Sequence, residues 1–487
     1  MTPETLIIYA LVLPLVGAAL IGLFGKIADL REIVTLSTGG ALAYIIMSLL
    51  THVLNGEQPE LHVLDVVPGL ALAFKVEPLG MLFACVASGL WIVNSIYSIG
   101  YMRGNNEPRQ TPFFMCFAVA ISSTIGVAFA ENLFTLFLCY EALTLSTYPL
   151  VTHKGNDDAK KAGRLYLILL MATSMVLLLP AIIWTFGLAG TLSFTPGGIL
   201  AGKADGLTVG ILMGLFVFGI GKAATMPVHF WLPAAMVAPT PVSAFLHAVA
   251  VVKAGVFSVL KIVIYIFGIS LLASTNASEW LLYVSAGTVL LASLIAMTKE
   301  NLKARLAYST ISQLAYIVVG AMLASRLGVI GGGLHIAMHA VGKITLFMCA
   351  GAIYTAAHKT EIKDLSGLGK AMPFTFAAFT IGALSIIGLP PFGGLWGKWY
   401  LALGALEADH LFIVAILMIS SLLNIAYLMP IPFKAFFGKP ADGVEITKIH
   451  EAPVACLIAI ALTSTGCVLL FFFPGPVFEL LQLIKTQ

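Results

Sequence analysis

Charged side chains interrupt a stretch of the sequence, residues 214–255, that is otherwise apolar enough to lie within a lipid bilayer. The stretch carries Lys222, His229, His247 and Lys253, and prolines stand at positions 227, 233, 239 and 241. An ammonium group at the centre of a bilayer costs about 2.5–3.5 kcal/mol on insertion scales, so such groups are rarely present without a function. Proline frees backbone carbonyls that lipid cannot satisfy, so a helix broken here must face protein or water. Lysines beside a broken helix inside a membrane indicate a path for protons or ions.

Glu141 lies near the middle of another apolar segment, residues 132–152. A buried carboxylate takes up a proton unless a cation lies close to it, and Lys222 is expected at a similar depth. We predict that Glu141 and Lys222 form a switchable ion pair, whose opening leaves Lys222 without a counter-ion and drives its proton onward. The alternative is a static pair that fixes helix packing, although apolar packing could replace such a pair at little cost.

Three titratable residues, His335, His339 and Lys343, recur at every fourth position of a further apolar segment. This spacing places them in a row along one face of a helix. Histidine titrates near neutral pH and can both donate and accept a proton, so the row is a candidate for a water-linked proton wire. The alternatives are packing histidines with one snorkelling lysine, or a metal bound by the two histidines, for which no third ligand is evident nearby.

Lys253 is central in its segment, and His247 precedes it by six residues on a different helix face. Apolar surroundings suit Lys253 to a relay of protons. His247 is either a second relay group or a histidine satisfied by a backbone carbonyl. Lys261 lies eight residues further along the same segment, where snorkelling of its ammonium to the membrane surface explains it equally well.

A second broken stretch, IIGLPPFGGLWGKWYLALG at residues 386–404, contains Pro390 and Pro391 and two adjacent glycines before Lys398. Lys398 follows the break and leads toward the membrane surface. We therefore predict that Lys398 is the last protonatable site before protons leave the chain.

The composition identifies an integral membrane protein. The chain is 59% hydrophobic and 10% charged with a mean hydropathy of +1.00, whereas soluble domains carry about 25% charged residues. The N-terminus lacks the basic region and the small-residue cleavage site of a signal peptide, so we expect a retained first helix. A net charge of +3 without a basic cluster gives no indication of nucleic-acid binding.

The sequence predicts fourteen spanning segments of about 20 apolar residues. They lie near residues 5–25, 33–54, 79–101, 111–130, 132–152, 162–187, 207–226, 242–268, 280–298, 303–323, 327–356, 373–402, 411–433 and 453–482. Lys and Arg concentrate in alternate loops, and the positive-inside rule then places the N-terminus outside the cell. We expect a multi-pass protein of the bacterial inner (plasma) membrane.

Segments 4–8 and 9–13 form two sets of five, of which the second has the opposite orientation. The broken segments, 7 and 12, are each fourth in their set, and paired breaks in inverted repeats point to a transport site. The predicted fold is an all-α membrane protein of about fourteen helices with two inverted five-helix repeats. Its predicted parts are residues 1–110 (helices 1–3), 111–268 (first repeat), 280–435 (second repeat) and 450–487 (helix 14).

Bound cofactors are not expected in this chain. The six cysteines are scattered singly, without the CxxC or CxxH spacing of metal, haem or iron–sulfur sites. We identify no flavin or quinone motif, and we predict no metal site.

Four motifs together resemble one family. GKAATMPVHFWLPAAMVAPTPVSAFLHAVAVVKAG (221–255), YEALTLSTYPLV (140–151), HIAMHAVGKITLF (335–347) and GLPPFGGLWGK (388–398) are similar to the signatures of the proton-translocating antiporter-like family. That family includes the large membrane subunits of respiratory complex I, membrane-bound hydrogenases and Mrp-type cation/proton antiporters. The resemblance covers residues 75–435 and implies that Glu141, Lys222, Lys253 and Lys398 form a central hydrophilic axis.

Within that family the chain most resembles the D-type subunits of Mrp sodium/proton antiporters. Lys398 stands where M-type complex I subunits usually have glutamate, and HAVAVVKAG (247–255) looks more like Mrp subunits than like M- or N-type ones. The L-type subunits add a long C-terminal lateral helix after the fourteenth segment, and the A-type subunits of Mrp antiporters are far longer. The resemblance implies a hetero-oligomer with other membrane subunits as partners.

The resulting hypothesis is a secondary transporter subunit, not an enzyme, that moves H⁺ along the Glu/Lys/His axis in exchange for Na⁺. Glu141 is the one deeply placed carboxylate, so we expect Na⁺ to be bound elsewhere. The alternatives are a proton-pumping subunit of a complex I-like NADH/quinone oxidoreductase, a subunit of an inorganic-carbon uptake complex, or a scaffold with vestigial charges.

Overall fold

The computed structural model describes residues 2–67, 69–439 and 449–485, and within them the chain is a bundle of fourteen membrane-length helical passes. The passes are α1 (Pro3–Leu23), α2 (Ala28–Leu54), α3 (Pro78–Gly104), α4 (Gln110–Phe129), α5 (Leu133–Val151), α6 (Asp157–Ala189), α7a (Gly206–Gly219) with α7b (Trp231–Ala234), α8 (Thr240–Phe267), α9 (Glu279–Thr298), α10 (Leu302–Met322), α11 (Arg326–Ala357), α12a (Pro373–Ile387) with α12b (Gly394–Glu407), α13 (Leu411–Phe437) and α14 (Val454–Phe472).

Eleven of these helices are long and apolar enough to cross a membrane unaided, among the residues described. The remaining passes are α10 and the two broken helices, α7 and α12. The predicted all-α membrane fold is confirmed. The face of the bundle at which α1 begins is called the N-terminal face, and each later pass starts on the face where the previous one ended.

Side-chain caps fix where several passes begin. Asn132 accepts a hydrogen bond from the N–H of Thr135 at 2.8 Å before α5, and Asn301 accepts one from Ala304 at 3.1 Å before α10. Ser325 does the same before α11. Each cap satisfies a backbone donor that the helix itself leaves free, so short polar loops can turn the chain between long apolar helices.

The two breaks lie where the sequence predicts them. α7a ends at Gly219, the 3₁₀ turn Gly221–Ala223 carries Lys222, and regular helix resumes at Trp231. In the second break α12a ends at Ile387 and α12b begins at Gly394. Within α7, Lys222 therefore lies in the interruption itself and not on a regular helical turn.

A third interruption was not predicted. α8 consists of Thr240–Ala248 and Val251–Ile262, separated by Val249 and Ala250, and ends in a π-helical turn, Val263–Phe267. The first of these pieces carries His247 at its end and the second carries Lys253. The two residues therefore sit on separate helical pieces, although the sequence predicts one continuous segment.

The predicted last segment, residues 453–482, is wrong as a single helix. α14 ends at Phe472, and a separate short helix, α15 (Gly475–Gln482), follows. Pro474 accounts for the division because proline lacks the N–H that an uninterrupted helix requires.

A β-hairpin caps the N-terminal face between α2 and α3. Its strands, β1 (Glu60–Val67) and β2 (Leu70–Lys75), are antiparallel. The hairpin is the small exception to an otherwise helical chain among the residues described.

The centre of the bundle is formed by α8 and α11. The most apolar 18-residue windows of these helices are 100% and 94% buried, whereas those of α2, α6 and α14 are each 33% buried. Side chains on α8 and α11 are thereby kept from lipid on every side. The boundaries proposed for the two repeats remain a prediction.

Candidate functional site

All eight predicted site residues are buried, with relative exposures of 9% or less. They are Glu141 on α5, Lys222 in the break of α7, His247 and Lys253 on α8, His335, His339 and Lys343 on α11, and Lys398 on α12b. They do not form one continuous hydrogen-bonded line. The contacts divide them into a group around α5 and α7, a central group, and a branch at Lys343.

Lys222 is held by α5. Its Nζ donates to the carbonyl of Tyr140 at 2.8 Å and to the hydroxyl of Thr144 at 2.5 Å, and it lies 3.1 Å from the centre of the Tyr140 ring. The backbone N–H of Lys222 donates to the Tyr140 hydroxyl at 3.1 Å. Tyr140 and Thr144 thus compensate in part for burying an ammonium group.

A tryptophan side chain satisfies a backbone carbonyl that the break in α7 leaves free. Trp231 Nε1 donates to the carbonyl of Gly221 at 2.9 Å, which bridges the two sides of the interruption. Lipid could not supply such partners. Trp231 is therefore a structural part of the site.

Glu141 is next to Tyr140, but its carboxylate is not paired in this structure. Both oxygens are buried and lack a hydrogen-bond partner in the described part of the chain, and no ammonium there lies within 4.0 Å. Lys222 uses other acceptors on the same helix. The switchable pair between Glu141 and Lys222 stays a prediction.

Lys253 and His339 are the junction between the two central helices. Lys253 Nζ is hydrogen-bonded to His339 Nδ1. His247 lies elsewhere: its ring packs against Phe347, with centroids 4.6 Å apart. Neither of its ring nitrogens has a hydrogen-bond partner among the described residues. The alternative in which a backbone carbonyl satisfies His247 is therefore not observed.

The histidines of α11 continue from this junction. The rings of His335 and His339 stack with centroids 5.7 Å apart and an interplanar angle of 19°. On its other side His335 stacks on Tyr316 at 5.4 Å, and its Nε2 lies 3.1 Å from Gln313 Oε1. The row predicted from the spacing is thus a stack that leads from Lys253 toward α10 and α12.

Lys398 closes the central group at the second break. Its Nζ lies 5.0 Å from the centre of the Tyr316 ring, and it donates to the hydroxyl of Ser421 at 3.0 Å. It also donates at 3.0 Å to the carbonyl of Ile387, the last residue of α12a. A cation at the C-terminal end of a helix is favourable, so Lys398 stabilises the break that exposes that carbonyl.

Lys343 is not hydrogen-bonded to the two histidines of α11. Its Nζ donates to the hydroxyl of Ser309 at 2.6 Å and not to His339, and the hydroxyl of Tyr427 donates to Ser309 at 2.9 Å. Tyr427 is also hydrogen-bonded to Asn424. This branch connects α11 through α10 to α13.

Lys222 and Lys253 remain separate. No side-chain hydrogen bond joins them within the ranges described, although their helices are in close contact at Gly255. A β-carbon at Gly255 would overlap the backbone of Lys222 and Ala223. Close packing therefore brings α8 against the break of α7, while a proton passing between the two lysines needs a movement of side chains or water.

Several site residues escaped the sequence-based prediction. They are Tyr140, Thr144, Ser309, Gln313, Tyr316 and Ser421. Gln313 and Tyr316, three residues apart in an apolar helix, share a helix face and could have been noticed as a pair. The hydroxyl residues carry no such signal because serine and threonine are common in membrane helices.

A metal centre is not formed by the described residues. They include no group of three or more His, Cys, Asp or Glu side chains able to hold a metal ion. One ring nitrogen of each stacked histidine of α11 is hydrogen-bonded, His339 Nδ1 to Lys253 and His335 Nε2 to Gln313.

Comparison with known proteins identifies the family. The family described as "NADH:quinone oxidoreductase/Mrp antiporter, TM" matches residues 130–424, which is more than half of the chain. The chain belongs to this family. The matched range contains all eight predicted site residues.

Relatives in the family come from several kinds of complex, including quinone oxidoreductases and cation antiporters. The chain is 29% identical over 456 residues to the N-type subunit of the NADH-quinone oxidoreductase of Desulforudis audaxviator, covering 91% of this chain and 90% of the relative. It is also 29% identical over 452 residues to the A-type subunit of the Na(+)/H(+) antiporter of Alkalihalophilus pseudofirmus, covering 85% of this chain. The match spans only 54% of that antiporter protein.

The fold is shared with a solved structure. A chain of the Mrp complex from Dietzia sp. superposes with a TM-score of 0.88 at 22% identity, covering 100% of this chain and 97% of the other. The superposition confirms the fold, and the family match confirms the predicted membership in the NADH:quinone oxidoreductase/Mrp antiporter family.

Proposed function

We propose that this chain is the proton-conducting subunit of a multisubunit monovalent cation (Na⁺)/H⁺ antiporter, similar to the D-type subunits of Mrp complexes. Protons move along Glu141, Lys222, Lys253, the histidines of α11 and Lys398. The observation that carries the proposal is the central group, in which Lys253, His339, His335, Tyr316 and Lys398 follow one another in contact between two interrupted helices.

The chemistry of these groups favours protons over metal cations. Lysine and imidazole bind and release H⁺, whereas Na⁺ requires oxygen ligands, and hard cations prefer carboxylates and carbonyls. Glu141 is the one carboxylate among the eight site residues, and it lies apart from the central group. We infer that Na⁺ is bound by partner subunits and that this chain supplies the proton half of the exchange.

Each lysine in the path already has a polar partner that can hold it after its proton has moved. Lys222 has Thr144, Lys253 has His339 and Lys398 has Ser421. A hydroxyl can act as donor or acceptor, and a neutral imidazole can change its tautomer, so these partners can reverse their hydrogen bonds when the ammonium becomes an amine. His335 and His339 can pass a proton through alternate ring nitrogens if water or a ring rotation completes the contact.

Exchange driven by a pH gradient in everted membrane vesicles tests the proposal. The whole complex is compared with versions carrying Glu141→Ala, Lys222→Ala or Lys398→Ala, and each is expected to lose most of its Na⁺-dependent proton movement. Lys203→Ala is the matched control because this exposed lysine of a loop donates only to the carbonyl of Ala189. Full exchange in all three axis variants would remove the proposed path.

A second candidate function is a proton-pumping subunit of a redox-driven complex. The similarity to an N-type NADH-quinone oxidoreductase subunit over nine-tenths of both chains favours it. The same axis would then be coupled to electron transfer in neighbouring subunits. Purification of the assembled complex separates the two: Na⁺-dependent exchange without flavin or iron–sulfur absorbance supports the antiporter, and quinone reduction coupled to proton release supports the pump.

We place the chain in the bacterial inner membrane with its N-terminus outside and with further membrane subunits as partners. The concentration of Lys and Arg in alternate loops supports this orientation. The N-terminal face of the bundle is then the outer face. An impermeant thiol reagent tests this orientation on single cysteines introduced at Glu57 or at Lys359, which lie on opposite faces. In intact cells we expect the cysteine at position 57 to react. Reaction at position 359 alone would reverse the assignment.

A further inference from the structure

Lys261, near the end of α8 on the N-terminal face, forms a buried ion pair. Its Nζ lies 2.9 Å from Glu77 Oε1, and the two side chains are 1% and 7% exposed. The sequence allows this lysine to snorkel to the membrane surface, but the structure places it inside the bundle. Glu77 is the residue immediately before α3, so the pair joins the central helix to the start of another pass.

The pair has access to the N-terminal face. A cavity of about 20 Å³ adjoins it and is lined by Glu77, Lys261, Glu131, Lys75 and Tyr265 among others. That volume is enough for about one water molecule, which needs roughly 10–15 Å³. Glu131 and Lys75 are partly exposed, so the cavity leads from the buried pair toward solvent.

Lys261 also lies in line with the central group. It follows Lys253 by eight residues of the same helix, a rise of about 12 Å. Phe257 lies midway, with its ring 5.5 Å from Lys261 Nζ and 4.9 Å from the ring of Phe83. An apolar ring between two protonatable sites is the arrangement of a gate that opens when water passes it.

The hydrogen bonds of Lys261 go to backbone carbonyls at the end of α4. Nζ donates to Ala130 at 2.8 Å and to Ala128 at 3.4 Å. These bonds hold the ammonium in place, and they also suit a purely structural tie. Burial of an ion pair alone is weak support for stability, because apolar packing often replaces such a pair without loss.

We propose that Glu77 and Lys261 form a proton-exchange site that connects the axis to the N-terminal face at the end of α8, with Phe257 as the barrier between this site and Lys253. The proposal rests on the proposed function and adds a second opening on this face, separate from the one at Lys398. The proton passes between Lys261 and the cavity water, while Glu77 stays as the counter-ion or takes the proton itself.

Single and double charge removals test the pair in the assembled complex. Glu77→Gln and Lys261→Met are each expected to lower exchange in everted vesicles by about tenfold or more, since a positioned proton-transfer group contributes about 10²–10⁴-fold. The double variant carries no unpaired charge. A structural tie predicts that the double variant recovers exchange, and that recovery would overturn the proposal, as would full exchange in both single variants. Continued loss in the double variant, with normal amounts of complex in the membrane, supports it.

The barrier gives a second measurement that leaves the pair intact. Phe257→Ala is expected to let protons leak across vesicles in the absence of Na⁺, because a smaller side chain allows water between Lys253 and Lys261. Phe83→Ala is the matched control, since it removes the neighbouring ring of the same pair. Equal proton leak in the two variants would contradict the barrier and the connection it guards, even if the charge variants failed to assemble.

The Lys398→Ala variant separates this inference from the proposed function. If Lys398→Ala abolishes exchange while Glu77→Gln and Lys261→Met keep it, only the second opening is wrong. If all of them exchange normally, the axis itself fails.

Discussion

Gly397 of α12b packs directly against His335 of α11. A β-carbon at position 397 would lie 2.9 Å from both the Cα and the Nδ1 of His335. Contacts this short are not found for real side chains, so the absence of a side chain at Gly397 sets how closely the broken helix approaches the histidine stack. The distance between Lys398 and the rest of the central group depends on this contact.

Gly397→Ala is therefore expected to push α12b away from His335 and to slow exchange by about tenfold or more. The amount of assembled complex should fall by a smaller factor than the exchange rate. Exchange in everted vesicles and the amount of complex in the membrane are the measurements. Gly287→Ala is the control, because no atom lies within 4 Å of a β-carbon added there, also within a membrane helix. Equal exchange in the two variants would show that the close approach is unimportant.

Tyr316 offers a test of ring against hydroxyl. The ring stacks on His335 and faces Lys398, while the hydroxyl donates to the carbonyl of Leu417 at 3.1 Å. We expect Tyr316→Phe to retain most exchange and to lose about 1 kcal/mol of stability. Tyr316→Leu should lose exchange because it removes the aromatic surface between His335 and Lys398. A loss of exchange in Tyr316→Phe as large as in Tyr316→Leu would assign the role to the hydroxyl.

The bridge across the first break is tested by Trp231→Phe. Removing the indole N–H leaves the carbonyl of Gly221 buried without its donor, at a cost of about 1–3 kcal/mol. A lower thermal midpoint of the detergent-solubilised complex is expected, together with slower exchange, since Lys222 follows Gly221 directly. Trp399→Phe is the control, because Trp399 is 54% exposed. An unchanged midpoint in Trp231→Phe would contradict a structural role for the bridge.

The cap of α7a gives a prediction of pH dependence. Asp205 accepts a hydrogen bond from the N–H of Thr208 at 2.9 Å. Hydrogen bonding by the Thr208 side chain, and after it by this N–H, lowers the pKa of the Asp205 carboxyl below its ordinary value of 3.8. A lowered pKa in the folded state means that the stabilisation is complete above the ordinary value and is lost as the pH falls through the folded value.

Asp205→Asn retains an acceptor but cannot titrate. The difference in thermal midpoint between the parent and this variant should therefore shrink as the pH is lowered from about 6 toward 3. Asp205→Ala should lack the cap at every pH. A parent–variant difference that stays constant over this range would show that the carboxylate charge contributes nothing to the cap.

Much of the fold could be predicted from the sequence because membrane helices impose strong rules. Long apolar segments are visible by length alone, and Pro390 and Pro391 mark the break in α12. The same rules missed the interruption at Val249 and Ala250, since neither residue type disfavours a helix strongly. Tertiary packing produces that interruption, and it leaves no local signal.

The candidate site was likewise predicted only in part from the sequence. Lys222, Lys253, His335 and Lys398 stand out because charged and titratable groups are rare inside membranes. Their partners could not be assigned from the sequence. Depth alone suggested Glu141 as the partner of Lys222, whereas Lys222 is bonded to Tyr140 and Thr144. The choice among acceptors depends on angstrom-scale placement of helices that are distant along the chain.

The hydrogen bond from Lys398 to the carbonyl of Ile387 crosses the interruption of α12. An ammonium group and a neutral amine do not hold that carbonyl equally well, because a hydrogen bond from a charged donor is roughly twice as strong as one from a neutral donor. If Lys398 gains and loses a proton during transport, as proposed, the strength of this bond and the angle between the two halves of α12 would change with its protonation. A partner subunit that displaces α12b would in turn change the proton affinity of Lys398.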